Sequence, residues 1–342
     1  MTALPPTDDD SAIWETWLSI YRLPVVTVAE EIGTFTALSD RGLTLEECAA
    51  QIGADARALS IHLGALAALG FVEKRGGKWR STSLSRTWLH PDGAGYYGNF
   101  FSRFRESNPI HAQLMTTLKT GERPDMELSK TNAKEWEKGD MSDEAAIAIA
   151  KFMHAHSVAP SKSAARNPMF GELTHLMDVG GGSGIFAIEF AKNWPDLRTT
   201  VMDLPAMARA AQSYIDAAGV GDRADTAGVN MFEEEWPRGP DAHFFSNVFH
   251  DWSEETNSLL ARKSFAALPS GGKIILHEML MDDDGCGPWI PAAFSLLMLL
   301  GTLGKQYTFE ELRTILEGAG FTDVQSDRSG MNHYSLITAT KV

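Results

Sequence analysis

The stretch HLMDVGGGSGIFAIEFAKNWP, residues 175–195, decides the fold. Five residues, His175 to Val179, form a short run with the β-branched and apolar character of a buried strand. A glycine loop follows, and from about Ile185 apolar residues recur at helical spacing. Gly180, Gly182 and Gly184 allow the backbone to turn tightly and approach a ligand where a Cβ would clash. The helix that follows presents free amide groups toward the same place. About twenty residues on, TTVMDLP (199–205) ends a second strand in Asp203, an acid placed to accept hydrogen bonds from two ribose hydroxyls. The loop reads D-x-G-x-G-x-G, with Asp178 at the strand end. The dinucleotide fingerprint G-x-G-x-x-G is not met, because Ile185 holds its sixth position. An adenosyl ligand other than a dinucleotide fits this pattern.

Outward from that stretch, further strand-like runs occur at AHFFSNVF (242–249), GKIILHEML (272–280) and YSLITATKV (334–342), with helical stretches between. Such alternation predicts a mostly parallel sheet covered on both faces. On the N-terminal side the pattern changes. LTLEECAAQIG (43–53) and the segment from Asp55 to Leu69 read as two helices capped at Thr44 or Leu45 and at Asp55, and FVEKRGGKWRST reads as a hairpin turning at Gly76-Gly77. Helix–turn–helix plus hairpin is a winged-helix pattern. Its would-be recognition helix offers only Arg57 and His62 as basic groups, and residues 1–95 carry twelve acidic and eight basic side chains, so a dimerising or structural use is expected over DNA binding. The apolar helices of residues 11–38 expect a partner surface. Residues 96–170 read as helical, clearest over 139–160; His154 and His156 stand two apart on that helix and make a poor metal pair.

The 342 residues carry 45 acidic and 30 basic side chains, a net charge of −15 with no basic run, which argues against nucleic acid or an anionic membrane as partner. Cys48 and Cys286 stand alone without metal-ligand spacing, and MTALPPTDDDSAIW lacks the features of a signal peptide, so a cytoplasmic protein is expected. The apolar run 290–301 is too short to span a bilayer and reads as a buried helix. The Asp282–Asp284 run reads as a solvated loop, and no metal is expected.

One stretch raises a question of chemistry: HFFSNVFHDWSEE, 243–255. Phe244 to His250 read as a buried strand that ends in a histidine, an aspartate and a tryptophan. The imidazole could pack in a loop or serve as a base aimed into a cleft. Asp251 could cap the next helix or touch a substrate.

Together, DVGGGSG, MDLP, FHDW and HEML, in this order and spacing, resemble the class I S-adenosylmethionine-dependent methyltransferases. More closely, the chain is similar to the small-molecule O-methyltransferases of the caffeic-acid and acetylserotonin type, which carry an N-terminal winged-helix dimerisation domain. The resemblance implies a Rossmann-like seven-stranded methyltransferase domain over 172–342, a helical linker and substrate-pocket segment over 101–171, and a winged-helix dimerisation domain over 1–100. It implies S-adenosyl-L-methionine as cofactor, with S-adenosyl-L-homocysteine as product. Asp178, Gly180, Gly182 and Gly184 would surround its methionine end, Asp203 the ribose, and Leu204, Asn230 and Met231 the adenine. Asn230 stands where the family usually has aspartate, and Ser246 where plant members have lysine near the cofactor's carboxylate. His250 would take the proton from an acceptor hydroxyl, with Glu278 orienting the imidazole; a base of near-neutral pKa suits that task. Gln306, in GTLGKQYTFEEL, stands where plant relatives have a second glutamate flanking the histidine. Met141, Phe152 and Met298 are expected walls of the substrate pocket, although each reads equally as core packing. The expected function is methylation of a hydroxyl, above all a phenolic one, on a small aromatic molecule by a homodimer. Two rivals stand beside it: other chemistry on the same cofactor, such as hydroxylation, decarboxylation or a pericyclic step, and a winged-helix regulator that senses an adenosyl ligand.

Overall fold

The computed structural model describes residues 9–39, 41–105, 107–124, 136, 139, 141–328 and 333–342. Most of the segment read as lacking a signal peptide, residues 1–8, lies outside them. The chain groups into two compact units, one of residues 1–11, 130–280 and 309–342, the other of 12–129 and 281–308.

The second unit contains the elements read from the N-terminal sequence. Thr44 closes a capping box with Glu47 at the start of the Leu45–Ile52 helix, which ends at Gly53 with φ +67°. Asp55 caps the Ala56–Ala68 helix by accepting from the Ala58 N–H. Strands β1 (Val72–Arg75) and β2 (Lys78–Ser81) pair antiparallel, and Gly76 and Gly77, both at positive φ, turn the chain between them. The apolar run near 290–301 forms the Trp289–Gly301 helix. It is apolar around its whole circumference and packs against Ala56–Ala68, so it is covered within this unit. Among the described residues no helix is long and apolar enough to cross a membrane.

The first unit is built on a seven-stranded sheet. Its strands are β3 (His175–Val179), β4 (Arg198–Asp203), β5 (Ala224–Gly228), β6 (Ala242–Ser246), β7 (Lys273–Met279), β8 (Thr322–Arg328) and β9 (Tyr334–Thr340). The spatial order is β5-β4-β3-β6-β7-β9-β8. Strands β3 to β7 run parallel, while β9 is antiparallel to both β7 and β8. The chain steps from β3 outward to β4 and β5, then returns to place β6 on the other side of β3. That reversal opens a crevice beyond the carboxyl ends of β3 and β6, where ligands of open α/β sheets bind. Beneath it, Phe170, Phe186, Phe190 and Phe244 form a buried aromatic cluster, with Phe170 and Phe190 centroids 4.2 Å apart.

Contacts group parts of the chain that are distant in sequence. The Asp143–Ala165 helix packs on the helices Ile185–Asn193 and Pro205–Ala218 of the sheet unit, and residues 281–308 group with the N-terminal unit. The run read as a strand from Phe244 to His250 begins at Ala242 and ends at Ser246; Asn247 turns the chain at φ +54°, and Phe249–Asp251 form one 3-10 turn. The cap of the Glu254–Ala267 helix is Ser253, which accepts from the Thr256 N–H, and not Asp251.

Candidate active site

The crevice in the sheet unit spans about 920 Å³, including space open to solvent. Its floor is the glycine loop. Gly180 lies at φ +69° and its N–H donates to the Met202 carbonyl at 2.8 Å, tying the loop to β4; a Cβ there would stand 3.0 Å from Val248 Cγ2. Gly182, at φ +58°, faces open space, so bare backbone borders the crevice at that point. Gly184 caps the Ile185–Asn193 helix from the left-handed region.

Asp203 is fixed by two backbone amides. Gly182 N–H donates to its Oδ2 at 2.9 Å and Leu204 N–H to its Oδ1 at 2.7 Å. Burial pushes its carboxyl up to about 6, against the lowering effect of those amides. Asp178 is more deeply buried beneath Gly181. Burial, with the Asp203 charge beside it, pushes it up to about 7, and its Oδ2 has no hydrogen-bond partner among the described residues. Leu204, Asn230 and Met231 border the same crevice. The Asn230 side-chain carbonyl accepts from the Phe232 N–H at 2.9 Å, which occupies one of its two lone pairs. Ser246, at the end of β6, has its Oγ 2.9 Å from His277 Nδ1.

His250 is held one 3-10 turn beyond β6. Its Nδ1 stands 3.1 Å from Glu278 Oε2, and its Nε2 3.7 Å from Asp251 Oδ1. The other oxygen of Glu278 accepts from the Val248 and Phe249 N–H groups at 3.0 and 2.9 Å, so β7 and the turn hold the carboxylate in place. Burial acts to lower the imidazole's pKa, but the Glu278 and Asp251 carboxylates outweigh it and the net shift is upward. Burial raises Asp251 to about 6, with Glu278 adding to the rise and His250 opposing it. The arrangement can hold Nδ1 protonated against Glu278 and leave Nε2 to accept a proton.

The structure brings Asp178, Gly180, Gly182, Asp203, Leu204, Asn230, Met231, Ser246 and Asp251 onto one crevice. Of the other expected residues, Met141 and Phe152 belong to the same unit as the crevice, Met298 and Gln306 to the second unit. Met141 packs partly buried against Ala146, Ile149 and Met207, and Phe152 is 53% exposed, with its ring edge-on to His156 at 6.1 Å; neither is among the described residues that line the crevice. Met298 is buried in the Trp289–Gly301 helix of the second unit. Gln306 belongs to that unit too, with its backbone N–H donating to Ser295 Oγ at 3.0 Å. Sequence reading missed Ile149, Met153 and His156, which border the crevice from the Asp143–Ala165 helix. Their i, i+4, i+7 spacing was the available signal. His154 does point elsewhere, stacking on Tyr214 at 4.7 Å with its Nδ1 3.0 Å from Ser183 Oγ. Burial, with His250 adding to it, lowers His156 to about 4.

Comparison with known proteins places this geometry. A family model described as an O-methyltransferase domain matches residues 113–322. The 3-hydroxy-5-methyl-1-naphthoate 3-O-methyltransferase of Streptomyces sahachiroi is 32% identical over 323 residues, 94% of this chain and 90% of the relative. An O-methyltransferase family 2 protein from Planctomyces limnophilus, solved in complex with apigenin, has a TM-score of 0.85 at 24% identity, covering 99% of this chain and 98% of the other. Human N-acetylserotonin methyltransferase, solved in complex with SAM, has a TM-score of 0.59 at 24% identity over 99% of each chain. With the model spanning well over half of its residues and a relative alike along nearly its full length, the chain belongs to the O-methyltransferase family to which its four motifs point.

Proposed function

We propose that the chain is an S-adenosylmethionine-dependent O-methyltransferase acting on a phenolic hydroxyl of a small aromatic molecule, with His250 as general base. The observation that carries the assignment is His250 Nδ1 at 3.1 Å from a Glu278 carboxylate pinned by two backbone amides, one of them of Val248, which borders the crevice beside Gly180. The open face at Gly182 and the unpartnered Asp178 Oδ2 fit an adenosyl ligand with a cationic amino-acid end. S-adenosylmethionine, when bound, supplies an electrophilic methyl group. Asp203 would accept from its ribose hydroxyls, and Leu204, Asn230 and Met231 would hold its adenine.

The protein's part in the reaction is proton removal and alignment. His250 Nε2 takes the acceptor's hydroxyl proton as the oxygen becomes a nucleophile, while Glu278 holds the Nδ1 proton and stabilises the imidazolium that forms. General-base assistance of this kind contributes roughly 10²–10⁴-fold, and alignment of the reacting atoms supplies the remainder. No metal is assigned. The relative that acts on a hydroxynaphthoate supports an aromatic acceptor. We read the helix–helix–hairpin segment as a winged helix used for dimerisation, supported by exposed Ile13, Ile20, Trp88 and Phe100 in the second unit, and we read the protein as cytoplasmic.

The test is a panel of phenols, quinols and hydroxynaphthoates with methyl-labelled cofactor, scored for labelled product and equimolar S-adenosylhomocysteine. Turnover that consumes the cofactor without label in the acceptor refutes methyl transfer.

A further inference from the structure

Three carboxyl groups, Asp178, Asp203 and Asp251, border the crevice, and no lysine or arginine stands among the described residues that line it. A ligand that brings its own carboxylate here must be met by neutral N–H and O–H donors. Ser246 is one candidate. It ends β6 two residues beyond Phe244, which pairs with Asp178 of β3, so its hydroxyl lies beside the start of the glycine loop.

What the hydroxyl can offer depends on His277. The two residues are register partners on β6 and β7, with Oγ and Nδ1 2.9 Å apart. The His277 ring is fully buried, parallel to Tyr334 at 4.4 Å and edge-on to Phe186 at 5.2 Å. Burial lowers it to about 3, so it is neutral at working pH. Its Nε2 has no hydrogen-bond partner among the described residues. The neutral ring has two tautomers. With the proton on Nε2, a buried N–H is left without an acceptor, a rare and costly state. With the proton on Nδ1, that N–H donates to Ser246 Oγ and only a lone pair faces the aromatic wall. The second arrangement is the better satisfied one. It also turns the Ser246 hydroxyl proton away from His277, since one N–H already occupies that line.

We infer that His277 is a positioning residue: as its Nδ1–H tautomer it fixes the Ser246 hydroxyl as a donor to the carboxylate of the bound S-adenosyl ligand. This rests on the proposed cofactor, and the experiment separates the two ideas. Calorimetry compares S-adenosylhomocysteine, its decarboxylated analogue and 5′-methylthioadenosine. The proteins are the parent, Ser246→Ala, His277→Phe, His277→Asn and the Ser246→Ala/His277→Phe double variant. The parent's preference for the carboxylated ligand should fall about tenfold in Ser246→Ala and in His277→Phe, as for a lost hydrogen bond to a charged group. The double variant should lose no more than either single change, because the two residues act as one unit. His277→Asn, whose amide N–H can reach the same oxygen, should retain the preference within about twofold. Binding of 5′-methylthioadenosine should be alike in all. An unchanged preference in His277→Phe or in Ser246→Ala overturns the inference while leaving the cofactor intact; failure of the parent to bind any of the three ligands overturns the proposed function itself. Should His277→Phe not fold, the ¹⁵N resonances of His277 in the parent decide: a protonated Nδ1 supports the inference and a protonated Nε2 overturns it.

Discussion

Glu278→Gln is a sharper perturbation than removal of His250, because it keeps shape and reverses a proton. Glu278 Oε1 accepts from the Val248 and Phe249 amides at 3.0 and 2.9 Å, so a glutamine must put its carbonyl oxygen there. Its NH₂ group then takes the place of Oε2, which stands 3.1 Å from His250 Nδ1. An NH₂ only donates, so Nδ1 must present its lone pair and the proton moves to Nε2, the atom that should accept from the substrate. The negative charge that stabilises the imidazolium is lost as well. For unit charges about 4 Å apart at an effective dielectric of about 20, that attraction is roughly 4 kcal/mol. Placed on the transition state it corresponds to roughly 10³-fold in rate. Turnover of Glu278→Gln should therefore fall roughly 10³-fold or more, with cofactor affinity changed by less than about twofold. The pH sign also follows. The carboxylates hold His250 above its ordinary range, so activity rises as pH passes through that raised value. Removing one of them moves the acid limb of any residual activity to lower pH. Single-turnover transfer from labelled cofactor across pH 5–9 measures both effects. A variant that keeps more than about a tenth of parental turnover, with an unmoved acid limb, refutes the tautomer argument.

His250→Ala should lower turnover by roughly 10²-fold or more while calorimetry finds cofactor affinity within about twofold. Asp203→Ala should weaken S-adenosylhomocysteine binding by about 1–3 kcal/mol in the same calorimetric assay, since it removes the ribose acceptor and frees the Gly182 amide. Asp178 titrates at about 7 in the folded protein, against about 4 for an unfolded aspartate, so the folded state binds more protons between those values and ligand-free stability falls as pH rises from about 4 through about 7. Asp178→Asn should therefore melt above the parent at pH 8, with the difference shrinking toward pH 4, as thermal unfolding in a pH series checks. Light scattering at micromolar concentration should give twice the chain mass of 37.4 kDa.

What the sequence discloses follows from how many neighbours each feature needs. The glycine loop is legible because backbone geometry acts locally: a left-handed turn at Gly180 and an open face at Gly182 can be read without knowing the rest of the fold. The caps at Thr44 and Asp55 are legible for the same reason. Strands β5 (ADTAG) and β8 (TDVQSDR) escape reading as strands because each lies at an edge of the sheet, where little apolar surface is needed. The reading of Phe244–His250 runs past its end because Val248 and Phe249 are as apolar as a strand interior. Only Asn247, a residue that tolerates positive φ, marks the turn.

The same distinction separates the two halves of the candidate site. Asp178, the glycine loop and Asp203 come from consecutive strand–loop units, and His250 and Glu278 from adjacent strand ends, so motif order alone places them together. The helical wall of the crevice has no such motif. Ile149, Met153 and His156 reach the crevice from a helix whose nearest sheet strand begins at His175, and residue type alone does not distinguish them from the partly buried Met141 or the exposed Phe152. Periodicity could have selected the face, since 149, 153 and 156 share one side of a helix, but periodicity does not say what that face meets. The loop and strand-end residues are therefore tied to backbone geometry. Those on the helical wall are ordinary helix positions that border the crevice only once the helix packs, which is why the glycine loop is legible in the sequence and this wall is not.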